Sequence, residues 1–124
     1  MKHFMKKPCD VLIIEDEPQI RESLKDAIEM EGHRVSVACN GREALQLLKK
    51  IDAPSLILLD LFMPVMSGYE FLIEKTDRPE IKDTPVVIVS AAGNGIEGTG
   101  ISGFLRKPID LDKLYAVVDR HCHH

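Results

Sequence analysis

Short apolar runs alternate along this chain with stretches in which apolar residues recur every three or four positions. The runs predict five strands, over Asp10–Ile14, Arg34–Cys39, Ser55–Leu59, Pro85–Val89 and Gly103–Arg106. Three of them carry VLII, LILL and VVIV, apolar throughout, which is the pattern of strands covered on both faces. The intervening stretches predict amphipathic helices. Ile20, Leu24, Ala27 and Ile28 fall on one stripe, and Ala44, Leu45, Leu48 and Ile51 on another. Leu111, Leu114, Tyr115 and Val118 make a third. Helix starts are marked as well: Pro18 suits a first helical position, Asn40–Glu43 and Ser67–Glu70 have capping-box spacing, and Asp110 can cap the last helix. Strict alternation of strand and helix predicts an α/β fold, a doubly wound five-stranded parallel sheet with helices on both faces and right-handed crossovers.

Size and charge narrow the class. The 124 residues are one domain's worth, read as a single unit over 1–124 with its core at about 9–120. No apolar run approaches the ~18 residues of a membrane span. A net charge of −4 with no basic, aromatic-rich patch argues against a nucleic-acid surface. The basic start, Met1 to Pro8, lacks the apolar stretch of a secretory signal, so a cytoplasmic location is expected. Three cysteines, an odd number without ligand-like spacing, predict buried thiols at Cys9 and Cys39 and a frayed tail over His121-Cys122-His123-His124.

In a sheet of this kind, functional groups gather beyond the carboxyl ends of the strands, where strand order reverses. Glu15, Asp16 and Glu17 follow the first strand, Asp60 the third, Ser90 the fourth and Lys107-Pro108 the fifth. Acidic residues in loops are ordinarily just solvated. Three of them on adjacent strand ends, facing a lysine and a hydroxyl, predict mutual repulsion that a hard divalent cation relieves. Magnesium suits such a site, because it binds through one or two carboxylates together with phosphate oxygens.

Four blocks, Val11–Pro18, Leu58–Gly68, Pro85–Ala91 and Phe104–Pro108, together resemble the motifs of response-regulator receiver domains, and the resemblance runs from about Cys9 to Arg120. It implies a flavodoxin-like strand order of 2-1-3-4-5. It also implies a phosphorylation-dependent signalling switch rather than a conventional enzyme, one that catalyses its own aspartyl phosphorylation and dephosphorylation. Asp60 would be the phosphate acceptor. Glu15 and Asp16 would hold Mg2+ with Asp60 and the backbone carbonyl of Phe62, Asp16 being the more direct ligand. Ser90 and Lys107 would meet the phosphoryl group, and Phe104 occupies the switch aromatic position. Lys107-Pro108 resembles a bond often cis in that family. The implied partners are a sensor histidine kinase or histidine phosphotransfer protein and an unidentified output protein. A receiver that acts as an interaction module without phosphate is the alternative.

Two other classes fit less well. A flavodoxin-like electron carrier needs a Ser, Thr and Gly loop after the first strand to cradle phosphate, where this chain has Glu-Asp-Glu-Pro. An aspartyl phosphatase resembling the acid phosphatases would place its nucleophile after the first strand and carry a cap. The departure from the receiver pattern lies between Ser90 and Lys107. Gly93, Gly95, Gly98 and Gly100 fall there, and each costs a helix about 1 kcal/mol relative to alanine. The fourth helix is therefore expected to be shortened or missing.

Overall fold

The computed structural model describes residues 8–91 and 101–122. The fourth-helix expectation and that part of it resting on residues 92–100 lie outside the described residues, as do residues 1–7 and 123–124. The elements run β1 (Asp10–Ile14), α1 (Pro18–Met30), β2 (Arg34–Ala38), α2 (Gly41–Leu48), β3 (Leu56–Asp60), α3 (Gly68–Thr76), β4 (Val86–Ser90), β5 (Ile101–Arg106) and α4 (Leu111–Cys122). All strand pairs are parallel, in the order β2-β1-β3-β4-β5.

The three runs that are apolar throughout, β1, β3 and β4, occupy the interior of the sheet. Their side chains alternate between two cores. Val11, Ile13, Leu56, Leu58, Val87 and Val89 pack with Leu24 and Ile28 of α1 and Leu114 and Val118 of α4. Leu12, Ile14, Ile57, Leu59, Val86 and Ile88 pack with Ala44 and Leu48 of α2 and Phe71 of α3. Helices thus cover both faces, and the edge strands β2 and β5 are less buried.

Local chemistry fixes the helix starts as expected. Pro18 opens α1. Asn40 Oδ1 accepts the Glu43 amide at 2.9 Å. Ser67 and Glu70 form a reciprocal capping box, with contacts of 3.2 and 3.0 Å. Asp110 Oδ1 accepts the amides of Asp112 and Lys113 at 2.8 and 3.3 Å.

The cysteines depart from expectation. Cys9 and Cys122 are bonded to one another, with their Cα atoms 5.7 Å apart. Cys122 belongs to the last turn of α4 and is buried rather than frayed, and Cys39 is only half-buried. A stripe of apolar residues packs α4 against β3, β5 and α1, which brings Cys122 to Cys9.

Candidate functional site

Register decides what meets at the carboxyl edge of the sheet. Ile14 pairs with Leu59 and Asp60 with Val89, so Glu15 and Asp16 just past β1 stand beside Asp60 at the end of β3. One carboxylate oxygen each from Glu15, Asp16 and Asp60 lie within 4.8 Å of one another. Ser90, fully buried, ends the next strand, and Lys107 follows β5.

Lys107 closes the cluster from the far side. Its Nζ is 2.8 Å from Glu15 Oε1, 3.7 Å from Asp60 Oδ2 and 3.8 Å from Glu17 Oε1. Its backbone N–H donates to the Ser90 carbonyl at 2.9 Å, and the Lys107-Pro108 bond is cis. Glu15 is held twice, because its Oε2 also accepts the Glu17 N–H at 3.1 Å. Asp60 Oδ1 accepts the Phe62 N–H at 3.2 Å, which turns the Phe62 backbone back over that carboxylate.

The electrostatics follow from burial and crowding. Burial, then the neighbouring Glu15 charge, pushes the Asp60 carboxyl from 3.8 up to about 7; a hydrogen bond with Asp16 adds to this, and the Phe62 amide and Lys107 oppose it. Burial works against the Lys107 ammonium, but the hydrogen bond and charge of Glu15, with Asp60 and Glu17 behind them, outweigh it and hold the ammonium above its usual value. One lysine does not neutralise three carboxylates. A donor set made only of oxygen, with an excess of negative charge, fits a hard divalent cation.

The loop after Asp60 is built tightly. At Gly68 a Cβ would lie 2.5 Å from the Asp60 carbonyl oxygen and 2.8 Å from Leu61 Cα, an approach only glycine permits. The Gly68 amide donates to the Leu61 carbonyl at 3.0 Å, and the Met66 carbonyl accepts the Gly41 amide at 3.2 Å. Between them Val65 stands at φ 69°, a strained conformation for a β-branched residue. Phe62 is 59% exposed, its ring edge-on to Tyr69 with centroids 6.2 Å apart. Phe104 is half-buried and pairs with Ile88, while Ser90 pairs with Arg106. Ser90 and Phe104 thus share one face of neighbouring strands, two positions out of step.

Sequence reasoning set Glu17 at the end of the first strand without giving it a role, and it passed over Arg21. Glu17 faces Lys107, and Arg21 donates from its guanidinium to the Glu15 carbonyl at 2.9 Å and the Asp16 carbonyl at 3.4 Å. The available signal was a cation in the first turn of α1, where the helix dipole favours anions.

Fold and comparisons together define the class, a receiver domain of two-component signalling. The response regulator receiver domain model matches residues 11–119, and the chain belongs to that family, a two-component signalling module. Response regulator Rre1 of Synechocystis is 37% identical over 120 residues, 92% of this chain and 52% of that protein. The chain therefore spans about half the length of that relative. An uncharacterized 14.6 kDa protein of Leptolyngbya boryana is 31% identical over 91% of this chain and 89% of its own. Among solved structures, chemotaxis protein CheY4 of Vibrio cholerae superposes with a TM-score of 0.84 at 28% identity, covering 93% of this chain and 99% of that one. Response regulator TrrA of Thermotoga maritima, solved in complex with Mg(2+)-BeF, gives 0.78 at 29% identity over 90% and 96% of the two chains. No helix among the described residues is long and apolar enough to cross a membrane.

Proposed function

We propose that the domain is a phosphorylation switch whose acceptor is Asp60, loaded from the phosphohistidine of a sensor kinase or phosphotransfer protein inside the cell. The observation that carries the reading is the convergence of Glu15, Asp16 and Asp60 within 4.8 Å, with Lys107 at their edge. An Asp60 carboxylate oxygen attacks phosphorus; a P–O bond forms as the P–N bond to histidine breaks, and the histidine nitrogen keeps the electron pair. Asp16, Asp60 and the Phe62 carbonyl would hold Mg2+, with Glu15 behind them. When bound, that ion neutralises charge on the phosphoryl oxygens.

The chain's own groups do the rest. Lys107, already 3.7 Å from Asp60, meets a phosphoryl oxygen and leaves part of its contact with Glu15. The Ser90 hydroxyl donates to another. The added charge and acceptor oxygens draw Ser90 towards Asp60, and Phe104 on the same face turns into the space released. The signal then passes to an output protein that reads this face.

The test is phosphorylation by acetyl phosphate with Mg2+. Wild type gains one phosphoryl group by intact mass, borohydride trapping maps it to Asp60, and Asp60→Asn gains none. Undiminished labelling of Asp60→Asn would move the acceptor elsewhere. A wild type that takes no phosphate from any donor would leave the domain an interaction module.

A further inference from the structure

At the opposite end of the sheet from the carboxylates lies a second, unrelated cluster. Cys9 immediately precedes β1, His33 immediately precedes β2, and Cys122 ends α4. All three are buried, and a ring nitrogen of His33 lies within 4.8 Å of both sulfurs. Six residue steps along β1 separate Cys9 from Glu15, about 20 Å at ~3.3 Å per residue.

Two chemistries suit two cysteines and a histidine. One is a thiophilic cation, which needs a free lone pair on the imidazole. Here Nδ1 accepts the Cys9 backbone N–H at 3.1 Å, so the neutral ring carries its proton on Nε2. Its lone pair is therefore committed to the backbone and its other nitrogen is a donor. The second chemistry lies between the sulfurs themselves. The Cα atoms of Cys9 and Cys122 are 5.7 Å apart, in the middle of the range a disulfide requires.

We propose that Cys9 and Cys122 form a thiol–disulfide exchange site, responsive to low-molecular-weight disulfides and thiols, that clasps the last turn of α4 to the start of β1. Transient local opening of the last turn of α4 gives Cys122 the access its burial in the closed state denies. In oxidation, the Cys122 thiolate attacks a small disulfide RSSR; a protein S–S bond forms, and RS− leaves and takes up the proton Cys122 lost. The Cys9 thiolate then attacks Cys122 sulfur and expels the second RS−, which takes the Cys9 proton. Two protein thiols are oxidised, and RSSR is reduced to two RSH. The closed loop spans 113 residues, nearly all of the domain, so the unfolded chain is constrained along its whole length. Cys39, at the other edge, takes no part.

Equilibration of the full chain in glutathione buffers of varied ratio, followed by thiol counting and peptide mapping, tests this directly. Reduced protein should show three thiols and oxidised protein one, Cys39, with a Cys9–Cys122 peptide. The oxidised form should melt higher by about 10 °C, and that difference should vanish in Cys122→Ser while persisting in Cys39→Ser. Asp60→Asn should show the same redox midpoint as wild type, so loss of the phosphorylation reading leaves this test intact. Three thiols at every ratio, a crosslink through Cys39, or equal melting of the two forms would overturn the proposal. So would stoichiometric Zn2+ binding by the reduced protein that blocks oxidation.

Discussion

Lys107 rests on Glu15, 2.8 Å away, rather than on Asp60, which its ammonium approaches only to 3.7 Å. Glu15 in turn has its second oxygen on the Glu17 amide. With both oxygens engaged, Glu15 acts as a holder for the lysine and as a source of field at Asp60, and on the proposed reading Asp16 is the more direct ligand of the cation.

That division of labour separates two variants. Asp16→Asn should weaken Mg2+ binding by tenfold or more, on the order of what loss of a ligand charge costs, and slow phosphorylation with it. Glu15→Gln should weaken the ion less but loosen Lys107, so phosphorylation falls by more than affinity does. Titration of Mg2+ alongside single-turnover labelling by acetyl phosphate measures both. Equal affinities in wild type and Asp16→Asn would contradict the assignment.

The raised Asp60 carboxyl sets a pH dependence in cation-free protein. Its folded value of about 7 lies above the ordinary 3.8, so the folded state retains a proton that the unfolded chain has lost over that window. Stability should therefore fall as pH rises from about 4 to 7, and be restored as pH drops. In chelator, Asp60→Asn should melt above wild type at pH 8, with the gap narrowing at pH 5. A gap that does not change with pH would show that Asp60 titrates normally.

Gly68 allows the first turn of α3 to rest on the backbone of Asp60 and Leu61. Gly68→Ala places a methyl 2.5 Å from the Asp60 carbonyl oxygen, against backbone that has no room to yield. The expected loss is roughly 1–3 kcal/mol, with slower labelling of Asp60. Urea unfolding of wild type and variant gives the first quantity directly.

Val65 is the reverse case. Its φ of 69° is a conformation that glycine or asparagine adopts at little cost. Since its side chain is largely exposed, Val65→Asn should stabilise the domain by about 1 kcal/mol. A destabilised variant would mean that the side chain makes contacts worth more than the strain.

Phosphoryl lifetime should depend on Phe62. Hydrolysis needs a water aligned on the far side of phosphorus, and an exposed phenyl ring two residues after the acceptor cannot orient one. Ala92, two residues after Ser90, would flank the same path and lies outside the described residues. Slow self-dephosphorylation is expected, accelerated several-fold in Phe62→Asn, and decay of radiolabelled protein after donor removal follows it.

Much of this was legible in the chain because hydrophobic patterning and helix caps are local. The alternation of VLII, LILL and VVIV with amphipathic stripes located the interior strands, and the Asn40, Ser67 and Asp110 caps sit where spacing placed them. Strand ends were less legible. The apolar pattern stops at Leu59 and Val89, but ladder pairing continues to Asp60 and Ser90, because main-chain pairing ignores side-chain polarity. Likewise β5 begins at Ile101, two residues before the predicted start, since an edge strand accepts a polar residue such as Ser102. Partners that strand order alone does not bring together were not legible. Nothing in the pattern says that Cys9 meets Cys122, because that depends on the angle at which α4 returns across the sheet.

With two sulfurs bonded to each other, Cys39 remains as the single thiol open to a maleimide or spin label. It stands just past β2, beside the first turn of α2, whose Gly41 is tied to the loop that follows Asp60. Burial, then the hydrogen bond and charge of Glu43, raises this thiol above its usual value, so coupling calls for mildly alkaline buffer. The oxidised native chain is thus its own reporter: a fluorophore can be attached at one position, without mutagenesis, within hearing of the acceptor loop.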